Sequence, residues 1–171
     1  MSIPPPIDVP VMHLDSWGRL SEFAVKSGRT LEQQLGWGNE GLVYSTTSKT
    51  AIKAYLHQNL FENEKKVYAR LTEYSVKNVH GFDVPQFVSA SDDLRTLEMS
   101  IVSPPFIIDF AGAYLDKRPP FDPEQWEDWE AAKVEQFEDR WPTVRSLISA
   151  FVPYGIHLND VHPGNVMFAE T

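Results

Sequence analysis

Hydrophobic and polar positions along the chain change their period several times, and each change marks an element. Between residues 15 and 26 the apolar residues Trp17, Leu20, Phe23 and Ala24 recur at helical spacing, which predicts a short lead-in helix. From Leu31 to Tyr55 the texture turns to short β-like runs. Leu42-Val43-Tyr44 and Ala51-Ile52-Lys53-Ala54-Tyr55 flank a polar, turn-rich stretch at 45–50, so a hairpin is expected. The period becomes helical again over 61–71, where Phe61, Glu64, Tyr68 and Leu71 lie near one face. Residues 85–89 and 94–102 read as two further strands joined at Asp92-Asp93, and Ser103-Pro104-Pro105 stops the second.

Beyond that break the pattern is helical and acidic. Residues 116–140 carry nine acids against four bases, more than half of the chain's formal charge of −9. Asp122 suits an N-cap and Pro123 a first-turn position, with acids facing the positive end of the helix dipole. A second helix is predicted over 142–152, burying Val144, Leu147, Ile148 and Phe151. Strands come first and helices second, so the chain reads as α+β in two unequal parts, 15–103 and 104–171. Residues 1–14 read as an extended arm, because Pro4, Pro5, Pro6 and Pro10 remove backbone donors.

Composition narrows the function classes. At 171 residues the chain is long enough for a real core, and the absence of Cys excludes a disulfide scaffold, a thiolate nucleophile and a Cys-ligated zinc site. Fifteen Lys and Arg against 24 Asp and Glu argue against a surface for nucleic acid or anionic lipid. No apolar run reaches the roughly 18 residues of a membrane span, and no signal peptide is visible. A soluble, cytoplasmic protein is the expectation.

Three constellations carry candidate chemistry. Gly36-Trp37-Gly38-Asn39-Glu40-Gly41 precedes Leu42-Val43-Tyr44, and glycines at these spacings let backbone N–H groups approach phosphate oxygens. The motif lies between two strands, unlike the strand-to-helix setting of a dinucleotide fold; the competing reading is an ordinary Gly-rich hairpin. Lys53, on an apolar strand, can hold phosphate oxygens as a compact cation, or else snorkel to solvent. An inward Lys53 needs a carboxylate, and Glu64 is preferred over Glu62 because it shares a face with Phe61, Tyr68 and Leu71. The third is His157-Leu158-Asn159-Asp160-Val161-His162-Pro163-Gly164-Asn165, where Pro163-Gly164 turns Asp160 and Asn165 towards one cleft. A carboxylate there can accept a hydroxyl proton while an amide oxygen ligates a hard cation. Ligation of a transition metal by His157, Asp160 and His162 is one alternative, and a plain polar turn is the other.

Taken together these motifs resemble the protein-kinase-like fold, which includes protein kinases and the aminoglycoside and choline phosphotransferases. The resemblance spans residues 31–168. It implies a two-lobed fold, with an antiparallel sheet and the Glu64 helix in the first lobe and a reduced helical second lobe. It implies ATP and Mg2+ as cofactors. Gly36, Gly38 and Gly41 would cover the phosphates, Lys53 would hold them and Glu64 would orient Lys53. Asp160 takes the base position and Asn165 the metal-ligand position. The purine edge would meet the backbone of 98–102, between Val43 and Ile101. His162 stands where protein kinases usually have Lys, a variant closer to the small-molecule kinases, and His157 lies three residues before Asp160 instead of two.

In this family a metal-binding Asp followed by Phe-Gly comes about a dozen residues after the Asn. Only six residues follow Asn165 here, and their one acid, Glu170, reads as a frayed end. The expectation is therefore an ATP-binding kinase-like domain without that second metal ligand. It transfers a phosphoryl group to an unidentified protein or small-molecule hydroxyl if active. The rival is a silent pseudokinase serving as an interaction module, and a third reading is a piece of a longer enzyme. Leu147, Ile148 and Phe151 lack the helices that usually cover them. Trp126, Trp129, Phe137 and Trp141 are the expected cover, or else a second copy or partner protein.

Overall fold

The computed structural model describes residues 3–170, so Met1, Ser2 and Thr171, the ends of the expected arm and C-terminal part, lie outside the described residues. Helix α1 (Leu14–Lys26) is followed by strands β1 (Leu31–Trp37), β2 (Gly41–Thr46) and β3 (Thr50–Tyr55), then by helix α2 (Gln58–Glu73). Short strands β4 (Asn78–Val79) and β5 (Phe82–Asp83) precede β6 (Phe87–Ser91) and β7 (Thr96–Ser100). Strands β8 (Phe106–Ile107) and β9 (Tyr114–Leu115) lead to helices α3 (Pro123–Phe137) and α4 (Trp141–Phe151). The chain closes with β10 (Ile156–His157) and β11 (Val166–Met167). It is an α+β protein whose main sheet is antiparallel, in the order β1-β2-β3-β7-β6.

Every residue of β3 is buried, because both faces of the sheet are covered. Alternation along the strand sends Ile52 and Ala54 to one face, where they join Leu42 and Tyr44 beneath Trp17, Leu20, Phe23 and Ala24 of α1. Ala51 and Tyr55 go to the other, against Phe61, Val67, Tyr68 and Leu71 of α2. Lys53 lies between Ala51 and Tyr55 and so shares their face. Gly41 is required by the ladder: a Cβ there would stand 2.1 Å from the Ala54 carbonyl oxygen.

The core beneath α2 runs without a break into the C-terminal part, taking in Ile107, Phe110, Val144, Leu147, Phe151, Ile156 and Val166. The cover for Leu147 and Phe151, which are fully buried, comes from the chain itself: Phe137 and Trp141 are buried with them and Trp129 packs alongside. Helix α3 starts as its sequence predicts, with Asp122 and Gln125 forming a reciprocal capping box ahead of Pro123.

Short ladders organise the chain beyond the main sheet, where β5 pairs antiparallel with β4 and parallel with β8. Val166 pairs with Ile107 and Met167 with Phe106, while Ile156 pairs with Leu115 and His157 with Tyr114, all antiparallel. One stretch, 106–116, is thus held at its start by β11 and at its end by β10. The loop it spans, 108–113, must lie beside the loop joining β10 to β11, which contains Asp160 and Asn165. No helix among the described residues is long and apolar enough to cross a membrane.

Candidate functional site

Lys53 is the centre of a buried charge cluster. Its Nζ donates to Glu64 Oε1 at 3.0 Å, as its sequence spacing predicts, and also to Glu40 Oε2 at 2.9 Å and Asp109 Oδ1 at 3.3 Å. The ammonium has three N–H groups, and all three are used. Glu64 is 1% exposed and is fixed from two other sides, by the Tyr55 hydroxyl and by the Phe110 backbone N–H at 2.5 Å. Burial alone would lower the Lys53 pKa, but Glu64, Asp109 and Glu40 prevail and hold it well above the ordinary lysine range. For the Tyr55 hydroxyl burial and the nearby Glu64 both act upward, so it remains a donor.

The two outer carboxyls differ. Burial pushes Glu40 up to about 7; Lys53 pulls it down, but Asp109, within hydrogen-bonding reach, adds to the rise. Burial also pushes Asp109 up, yet Lys53 and the hydrogen bond with Glu40 prevail and hold it below the usual carboxylate range.

The Gly-rich stretch forms the β1–β2 hairpin. Gly36 pairs with Val43, and the Gly38 N–H donates to the Gly41 carbonyl at 3.0 Å to close the tip. Val43 lies directly opposite Lys53 on β3 and so shares its face. Ile101, the other expected apolar wall, lies past the end of β7, exposed, with its N–H on the Lys49 carbonyl; unlike Val43 it does not pack on the core beside Lys53.

Asp160 is exposed, and its carboxylate lies against Gly112, where an added Cβ would stand 3.1 Å from Oδ2. Asn165 is buried and braces its own loop: Oδ1 accepts from the His162 N–H at 2.9 Å and Nδ2 donates to the Asp160 carbonyl at 3.3 Å. Its carbonyl accepts from the Ile108 N–H at 3.0 Å, one residue before Asp109. Helix α3 clamps the loop on both sides of Asp160, through Trp129 Nε1 on the Asn159 carbonyl and Lys133 Nζ on the Val161 carbonyl. Burial lowers the Lys133 pKa, and Asp160 partly offsets that. His162 is exposed, with Nδ1 accepting from Gly164 N–H. Among the described residues, no three His, Cys, Asp or Glu side chains form a metal-holding group, so His157, Asp160 and His162 do not assemble as one.

The structure therefore brings Lys53, Glu64 and Val43 together, and sets Asp160 and Asn165 in the adjoining loop. Sequence reasoning missed two members. Counting only the residues after Asn165 left Glu170, which is exposed, as the one acid at hand. The fold brings another acid, Asp109, to Lys53 from upstream, on the stretch that the β8–β11 ladder holds. Its signal was an acid closing the apolar run Phe106-Ile107-Ile108, followed by Phe110, Ala111 and Gly112. Glu40 stood inside the Gly-rich motif without an assigned role. No protein-family model matches the chain, and no curated protein matches it.

Proposed function

We propose that this protein is a kinase-like phosphotransferase in which the Lys53 cluster binds ATP with Mg2+ and Asp160 serves an acceptor hydroxyl. The observation that carries the reading is the simultaneous contact of Lys53 with Glu64 on α2 and with Asp109 beside the Asp160 loop. A single inward cation, oriented by one carboxylate and flanked by a second, suits the α/β-phosphates of a nucleotide. The corresponding arrangement is two-lobed, with the antiparallel sheet and α2 as one lobe and residues 104–171 as the other.

The donor set fits a hard divalent ion. Mg2+ takes one or two carboxylates and relies on substrate phosphates and water for the rest. Asp109 is an ionised carboxylate with its side chain 32% exposed, and the Asn165 amide oxygen keeps one lone pair after accepting from His162. Asp109 and Asn165 would hold the ion, which when bound neutralises charge developing on the phosphoryl group being transferred. Lys53 holds the phosphates, Glu64 keeps Lys53 aimed, and Gly36, Gly38 and Gly41 bring backbone N–H groups over them. Asp160 accepts the proton of the attacking hydroxyl, and Trp129 and Lys133 keep its loop in place.

The test is thermal denaturation with and without Mg-ATP, with radiolabel transfer to candidate acceptors measured in parallel. At 100 times its dissociation constant the ligand adds about 2.7 kcal/mol to stability. Lys53→Met, shown folded by circular dichroism, removes the shift, and Asp160→Ala removes transfer while keeping it. A silent pseudokinase is the competing reading, favoured by the full set of carboxylate partners on Lys53. A shift with no transfer to any acceptor would support it.

A further inference from the structure

We infer that Glu40 is a specificity-determining residue of the nucleotide site: a resident carboxyl that a phosphate group must displace from Lys53. The inference rests on the ATP reading above. Lys53 has no free N–H, so a phosphate oxygen reaches it only when one carboxylate gives way. Glu64 is the wrong candidate, being fully buried and tied to Tyr55 and Phe110 as well. Asp109 lies on the loop tied to Asn165 through the Ile108 N–H, and the ATP reading keeps it there for the divalent ion.

Glu40 is the partner that can leave. Its side chain is partly exposed, as is that of Asp109 (25% against 32%), and only Glu40 sits at the tip of the hairpin that would cover the phosphates. Its backbone stays put, because the Leu56 N–H donates to its carbonyl at 2.8 Å and Gly41 is locked against Ala54. Displacement therefore needs only a side-chain rotation away from Lys53, with the sheet unchanged. A triphosphate replaces the lost carboxyl on Lys53 and compensates the break. Adenosine brings no anion and leaves Glu40 where it is. The residue thus favours polyphosphate ligands over the bare nucleoside.

Isothermal titration of the full chain with Mg-ATP and with adenosine tests this, using wild type, Glu40→Ala and the isosteric Glu40→Gln. Both variants should bind Mg-ATP about tenfold more tightly, the scale of one charge-assisted hydrogen bond no longer contested, and adenosine with unchanged affinity. Binding of Mg-ATP by the variants alone would also support the inference. Equal or weaker Mg-ATP binding by both variants overturns it, as does an equal gain for adenosine, which would make Glu40 a steric lid. If no variant and no wild type binds Mg-ATP, the ATP reading itself falls and this inference falls with it.

Discussion

At the scale of single residues, the Lys53 cluster is one cation shared among three carboxylates, and burial decides what each contributes. Glu64 is the most enclosed, so Glu64→Ala strands part of the Lys53 charge and two further donors. Removing one partner of a buried pair is strongly destabilising. A loss of about 3 kcal/mol in urea denaturation is expected, with a smaller loss for Glu64→Gln, which keeps an acceptor oxygen. Glu40 gives the protein a pH dependence of definite sign. Its carboxyl titrates near 4.5 in the unfolded chain and near 7 when folded, so the folded state holds the proton more tightly. That contribution is fully present below pH 4.5 and is lost as pH rises through 7. Stability should drop across this window by on the order of 2 kcal/mol, and Glu40→Gln should flatten the profile. Asp109 acts with the opposite sign and at lower pH: its stabilisation is present above its unfolded value and disappears as acid protonates it. The Lys53–Glu64 pair is legible in the sequence because both residues sit at predictable phases of regular elements. Asp109 and Glu40 are not, since each lies on a loop whose position only tertiary pairing sets.

At the scale of elements, periodicity served the long pieces well. The lead-in helix, the central hairpin, the Glu64 helix and the two C-terminal helices all form within a few residues of their expected bounds. Strands β4, β5 and β8 to β11 have two residues each, too few for any alternation to register. These unreadable strands are the ones that bring Asp109 to the Asp160 loop, so the candidate site was only half visible. Local chemistry at the termini was legible: Asp122→Ala should remove the α3 capping box and cost about 1 kcal/mol. Gly41→Ala should do far more, because its Cβ meets backbone and cannot be relieved by a rotamer change. Loss of the cooperative thermal transition, followed by circular dichroism, is the expected result.

At the scale of the whole molecule, the split near Ser103-Pro104-Pro105 is a change of composition across a shared core. Phe61, Val67 and Tyr68 from the first part pack in the same apolar cluster as Val144, Leu147 and Phe151 from the second. Calorimetry should therefore record one unfolding transition instead of two. The second core, beneath α1, is separate but attached to the same sheet. Leu20 is fully buried there, and Leu20→Ala should lower stability by about 3 kcal/mol in that same single transition.

The order of Asp109 and Asp160 along the chain has a bearing on biosynthesis. A ribosome releases Lys53, Glu64 and Asp109 well before the final loop, and domains begin to organise from the amino end as they emerge. Asp109 is nonetheless set in place only when Val166 and Met167 pair with β8, so the three carboxylates gather around Lys53 after the last of these strands has emerged.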